Sequence, residues 1–130
     1  MDITWIELES ALAIHKRQIA EHGGSDGVRD EGLLSSALAR AQNVLAHSDD
    51  ADISSLAGAY AFGIAKNHPF IDGNKRTALV VMRTFLGANG HDVKASPQEK
   101  YITFLGLADG SLDEDGLVQW IRSHLVELPD

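Results

Sequence analysis

The chain has 130 residues, 44 % of them apolar, and carries a formal net charge of −8 with no cysteine. This fits one domain over residues 1–130, able to bury roughly 70 % of its unfolded surface. The acidity argues against nucleic acid as the main partner, since neutralising phosphates takes clustered Lys and Arg, and fits a basic or mixed protein partner instead. Without cysteine there is no disulfide framework and no thiolate metal site. The apolar runs are too short to span a bilayer, and Asp2 and Glu7 stand where a signal peptide would be positive, so a cytoplasmic protein is expected.

Helical periodicity dominates the chain. Ile3–Ile6 reads as a short extended piece, with a Thr4/Glu7 capping box as the alternative. A first helix runs from about Glu7 to His22, with Leu8, Leu12, His15 and Ile19 spaced as one face. Residues 22–27 hold three glycines in five positions and form a turn. Asp30 is then the expected N-cap of a second helix carrying Leu34, Leu38, Ala41 and Leu45. His47–Asp52 is an acidic break, read as a solvated loop.

Ile53 to Lys66 contains Ala57, Gly58, Ala61, Gly63 and Ala65. Small side chains let helix backbones approach closely, so this helix is expected to be central. It ends before Pro69, because the residue preceding a proline is pushed out of the helical region. A further apolar helix spans Thr77 to Ala88 and stops at Asn89-Gly90. His91–Ala95 is a connection. Ser96-Pro97-Gln98-Glu99 opens the next helix with a capping box and a proline in its first turn. Its expected buried face is Tyr101, Phe104, Leu105 and Ala108. The last helix begins near Asp113 and carries Leu117, Trp120, Ile121 and Leu125. The expected fold class is all-α, a compact bundle of about six helices.

Between the two central helices lies His68-Pro69-Phe70-Ile71-Asp72-Gly73-Asn74-Lys75-Arg76. Gly73 can adopt a backbone conformation closed to other residues, so that neighbouring N–H groups converge on one anion. The loop also opens a helix, whose free N–H groups and dipole favour negative charge. Lys75 and Arg76 add a compact and a forked cation, suited to phosphate oxygens and to charge developing in a transfer reaction. Asp72 is the loop's one carboxylate and an oxygen ligand for a phosphate-bound Mg²⁺, or alternatively a helix N-cap. Asn74 orients either the phosphate or the loop, Phe70 pins it, and His68 is the one side chain able to take a proton near neutral pH. His15 and His22 share a helix face, but zinc would need further ligands.

This stretch closely resembles the signature of the Fic/Doc family, His-x-Phe-x-Asp/Glu-Gly-Asn-Gly-Arg-x-x-Arg. His68, Phe70, Asp72, Gly73, Asn74 and Arg76 match it, while Lys75 and Leu79 replace a small residue and the second arginine. The Lys-Arg-Thr-Ala continuation is similar to the death-on-curing (Doc) branch, toxins of type II toxin–antitoxin modules. Gly23-Gly24 with Gly27-Val28-Arg29-Asp30 extends the likeness upstream, to about two thirds of the chain.

The resemblance implies a Fic fold and a nucleotide site. His68 would be the general base, and Lys75 and Arg76 would act in transfer. Gly73, Asn74, Lys75 and Arg76 would bind ATP, and Asp72 would bind Mg²⁺. Most Fic proteins transfer AMP to a protein hydroxyl, using the second motif arginine that Leu79 replaces here. The Doc branch instead phosphorylates elongation factor Tu, with the nucleotide reversed. The resemblance thus implies a kinase that arrests translation, with AMP transfer as the alternative. A self-inhibitory Ser/Thr-x-x-x-Glu-Gly/Asn helix is not found; the nearest segment, Ser111 to Gly116, has Asp115 in place of the glutamate. Inhibition by a Phd-like antitoxin is therefore the implied regulation. A reading from another class is a corepressor that acts mainly as a binding module with its antitoxin.

Overall fold

The computed structural model describes residues 2–129. Six helices follow in order: α1 (Leu8–His22), α2 (Glu31–His47), α3 (Ile53–Asn67), α4 (Asn74–Ala88), α5 (Pro97–Asp109) and α6 (Glu114–His124). Two three-residue strands, β1 (His91–Val93) and β2 (Leu125–Glu127), pair antiparallel with Val93 opposite Leu125. The all-α expectation holds, and none of the described helices is long and apolar enough to cross a membrane. The sequence reading treated β1 as a connection and continued α6 through Leu125. The chain instead leaves the helix after His124, and Lys94 N–H donates to the His124 carbonyl at 2.8 Å, extending the pairing of the two strands.

Helix α3 is the centre, touching α2, α4, α5 and α6. Ten of its residues are buried, among them Leu56, Tyr60 and Ile64. Its small residues permit this. A methyl group on Gly58 would lie 2.6 Å from Val118 Cγ2, and one on Gly63 would lie 3.1 Å from the Ala37 backbone. Val81, Met82, Phe85 and Leu86 of α4 complete the core against α3. Phe85 lies tilted on Tyr60, with ring centroids 5.0 Å apart.

Two buried faces differ from the sequence reading. In α1 the buried residues are Ala11, His15 and Gln18, while Leu8 and Leu12 are 44 % and 36 % exposed. The stripe is rotated by about one residue, because α1 packs mainly on α4, and a small Ala11 lets it approach closely. In α5 Phe104 and Leu107 are buried, whereas Tyr101 and Leu105 face outward. Ile3–Ile6 has no helix or strand, but Thr4 pairs both its backbone groups with the Asn89 side chain, each at 2.9 Å.

The acidic break before α3 has a structural use. Asp52 caps the helix by accepting from Ser55 N–H at 2.9 Å and also receives Arg122 of α6, at 2.9 and 3.1 Å. The hydrogen bonds from Arg122, with help from Ser55, hold the Asp52 carboxyl well below the usual carboxylate range, at about 2. A depressed carboxylate stabilises the fold above its unfolded pKa, and the contribution disappears as pH falls through the folded value. The ion pair is more than a third exposed, so solvent screening leaves the cap as the larger share. Asp52→Ala is expected to lower unfolding stability by about 1–2 kcal/mol at pH 7. In denaturant titrations that difference should shrink between pH 3.8 and about 2.

Candidate functional site

The loop joining α3 to α4 makes few hydrogen bonds within itself and is held from outside. His68 ends α3 in the left-handed conformation, φ 48° and ψ 54°, and its N–H still donates to the Ile64 carbonyl. Pro69 thus removes His68 from the right-handed helix, although the residue turns left-handed instead of becoming extended. This strained turn leaves the imidazole exposed on the outer side.

Arg29 braces the end of α3. Its Nε donates to the His68 carbonyl at 2.7 Å and its Nη2 to the Asn67 carbonyl at 2.8 Å. A cation here satisfies helix-terminal acceptors and complements the helix dipole. The backbone beside it docks as well. Arg29 N–H and Asp30 N–H both donate to the Pro69 carbonyl, and Ile71 N–H donates to Gly27. Sequence reading placed Asp30 correctly as the cap of α2, accepting from Leu33 N–H, but gave Arg29 no role.

Inside the loop, Phe70 is buried and Asn74 clamps it. Asn74 Oδ1 accepts from Phe70 N–H at 3.0 Å, and Asn74 Nδ2 donates to the Phe70 carbonyl at 2.9 Å. Both faces of the Asn74 amide are therefore engaged by the loop. Of its two expected uses, the geometry displays loop orientation.

Gly73 then occupies the N-cap of α4 at φ 76°, and no side chain caps the helix. The first helical hydrogen bond runs from Thr77 N–H to the Gly73 carbonyl. The preceding N–H groups of α4 are left facing the loop, as an anion site requires.

Asp72 is not the side-chain cap of α4. Its Oδ1 accepts from the adjacent Gly73 N–H at 2.8 Å, and its Oδ2 accepts from Ser25 N–H at 3.3 Å. The carboxylate rests on the glycine turn, where a methyl group at Gly24 would lie 2.7 Å from Oδ2. Position 24 therefore favours glycine, for space as well as for its φ of 113°.

Arg76 reaches the same turn, Nη2 donating to the Gly23 carbonyl at 3.2 Å. Among the described residues neither Lys75 nor Arg76 forms an ion pair with a carboxylate. On a chain of net charge −8 these two cations form a local patch of positive charge.

His68, Ile71, Asp72, Gly73, Asn74, Lys75 and Arg76 line one cleft of about 370 Å³. The structure thus brings every sequence-predicted site residue to one place. Lys75 and Arg76 also border a second cleft of about 350 Å³, walled by Leu79, Tyr101, Phe104 and Leu105. Leu79 is partly buried there and offers no polar group. No group of three or more His, Asp or Glu side chains able to hold a metal occurs among the described residues. Asp72 alone, with phosphate oxygens and water, is the kind of donor set Mg²⁺ accepts.

Asn74→Ala would leave the buried N–H and carbonyl of Phe70 without partners, at roughly 1–3 kcal/mol each. The thermal midpoint should fall by about 5 °C or more, while Asn74 substitutions that keep both amide groups are not available among natural residues of that length. Differential scanning calorimetry of the variant checks this.

The model of the Fic/DOC family matches residues 5–86. The chain is 32 % identical over 117 residues to a protein of Escherichia phage P1 named protein kinase doc, covering 90 % of this chain and 92 % of the relative. It is 42 % identical over 74 residues to a protein of Mycolicibacterium smegmatis named toxin Doc, covering 56 % of this chain and 57 % of the relative. The family match takes in the glycine turn, Arg29 and the whole loop that the structure assembles into one cleft, and on that ground the chain belongs to the Fic/DOC family.

Proposed function

We propose that this protein is a Doc-type toxin, an ATP-dependent kinase that phosphorylates a Ser or Thr hydroxyl on a translation factor resembling elongation factor Tu. The observation that carries this is the single cleft in which an exposed imidazole, His68, faces an uncapped helix N-terminus with Lys75, Arg76 and one carboxylate. The phage P1 relative bears the name of a protein kinase, which supports the choice of reaction. Leu79 supports it too: an apolar side chain at the second arginine position removes a contact that AMP-transferring relatives use.

In this reading the target hydroxyl enters beside His68, which accepts its proton. The oxygen attacks the γ-phosphorus of ATP, the bond to the β–γ bridging oxygen breaks, and ADP leaves. The N–H groups opening α4, with Lys75 and Arg76, hold the phosphates and stabilise the charge that develops. Asp72 is the protein ligand for Mg²⁺, which when bound neutralises charge on the phosphate oxygens. Gly73 lets the backbone approach the phosphate, and Asn74 keeps the loop in shape. Arrest of translation follows from modifying the factor, and a Phd-like antitoxin would restrain the enzyme in trans.

Purified protein with elongation factor Tu and Mg²⁺ should transfer label from ATP labelled at the γ-phosphate and none from ATP labelled at the α-phosphate. His68→Ala should lower the rate by roughly 10²–10⁴-fold and relieve growth arrest in cells. Label from the α-phosphate would establish AMP transfer instead. No label from either, with growth arrest retained in His68→Ala, would favour a binding role.

A further inference from the structure

The inference concerns how Asp72 is aimed, and it rests on the reading of the cleft as a phosphate site. His15 lies in the second turn of α1, far from the loop in sequence, and is only 2 % exposed. Its ring lies flat on Phe70, centroids 3.8 Å apart and planes within 4°. Its Nε2 is 2.8 Å from the Asp72 carbonyl oxygen. A carbonyl only accepts, so Nε2 must carry the hydrogen. The other ring nitrogen, Nδ1, faces the Asp26 carboxylate at 3.8 Å, beyond hydrogen-bond distance.

The peptide bond between Asp72 and Gly73 is planar and trans, so its carbonyl and N–H point in opposite directions. By drawing the Asp72 carbonyl inward, His15 turns the Gly73 N–H outward. That N–H is the group that holds Asp72 Oδ1, at 2.8 Å. Ser25 N–H steadies the other carboxylate oxygen from the glycine turn.

We infer that His15 is a positioning residue for the phosphate-transfer site: through one peptide plane it sets the direction of the Asp72 carboxylate and of the Gly73 N–H. The ring stack fixes Phe70, and the hydrogen bond fixes the peptide. The two functions reside in different atoms and are therefore separable by substitution.

His15→Phe keeps a flat ring against Phe70 and removes the donor. His15→Gln keeps a donor and removes the ring. In His15→Phe, amide hydrogen exchange at Gly73 should speed up about fivefold, the worth of one lost neutral hydrogen bond, with α3 and α6 unchanged. The KM for Mg·ATP should rise by a similar factor, with kcat altered less. His15→Gln should regain part of the KM. In the wild type, imidazole ¹⁵N shifts should report a hydrogen on Nε2.

Exchange and KM left as in wild type by His15→Phe would overturn the inference. So would uniform acceleration across the helices in both variants, or an Nε2 without hydrogen. A wild-type protein that transfers no phosphate would instead overturn the reading of the cleft. In that case the exchange and nitrogen-shift measurements still decide whether His15 places Asp72.

Discussion

The structure depends on a loop whose backbone is held by other parts of the chain. The carbonyls of Pro69, Phe70 and Asp72 and the N–H groups of Phe70 and Ile71 find partners on Arg29, Asp30, Asn74, His15 and Gly27. Buried backbone groups must be paired, so a loop that carries its own turn but lacks its own ladder needs this external frame. The frame is what permits the last part of the loop to leave its N–H groups unpaired by protein. An anion site is a set of donors kept free at a point where the surrounding donors are satisfied.

The bundle serves that arrangement. Helix α3 can lie close to α2 and α6 because Gly58 and Gly63 leave no room for a side chain. Helix α4 is anchored by Val81, Met82 and Phe85. The C-terminus of one and the N-terminus of the other are thereby fixed with the loop between them. The dipoles then act in the same sense: Arg29 sits at the negative end of α3, while the positive end of α4 faces the cleft with Lys75 and Arg76. A left-handed His68 turns the chain between the two and leaves its imidazole in solvent at the cleft wall. The cations outside the cleft have different uses, as the Asp52–Arg122 and Arg83–Asp92 pairs show.

Much of this was legible because the cleft residues are contiguous. From His68 to Arg76 each side chain has a chemical character, and the glycine between them marks the turn. Helix limits followed from caps that act locally, such as Asp30 and Ser96 with Glu99. The faces of α1 and α5 were less legible, since which stripe is buried depends on what the helix meets. Ala11 and Gln18 carry little apolar signal, yet they lie inside, while Leu8, Leu12 and Tyr101 lie outside. The pairing of β1 with β2 escaped because three-residue strands show no alternation that a sequence can display, and two helices separate them in the chain. His15 and Arg29 are distant in sequence from the loop they hold. The one clue to His15 was a histidine set among apolar residues on a helix face, which by itself pointed to a plain core position well before metal binding.

The central claim is that phosphate binds at the preassembled start of α4. It is tested most directly by titrating ¹⁵N-labelled protein with Mg·ATP and following the backbone amides. Saturable shifts confined to His68, Asp72, Gly73, Asn74, Lys75, Arg76 and the glycine turn around Ser25, with α2 and α6 unmoved, are the predicted result. Shifts centred elsewhere, or none at millimolar nucleotide, would contradict the account.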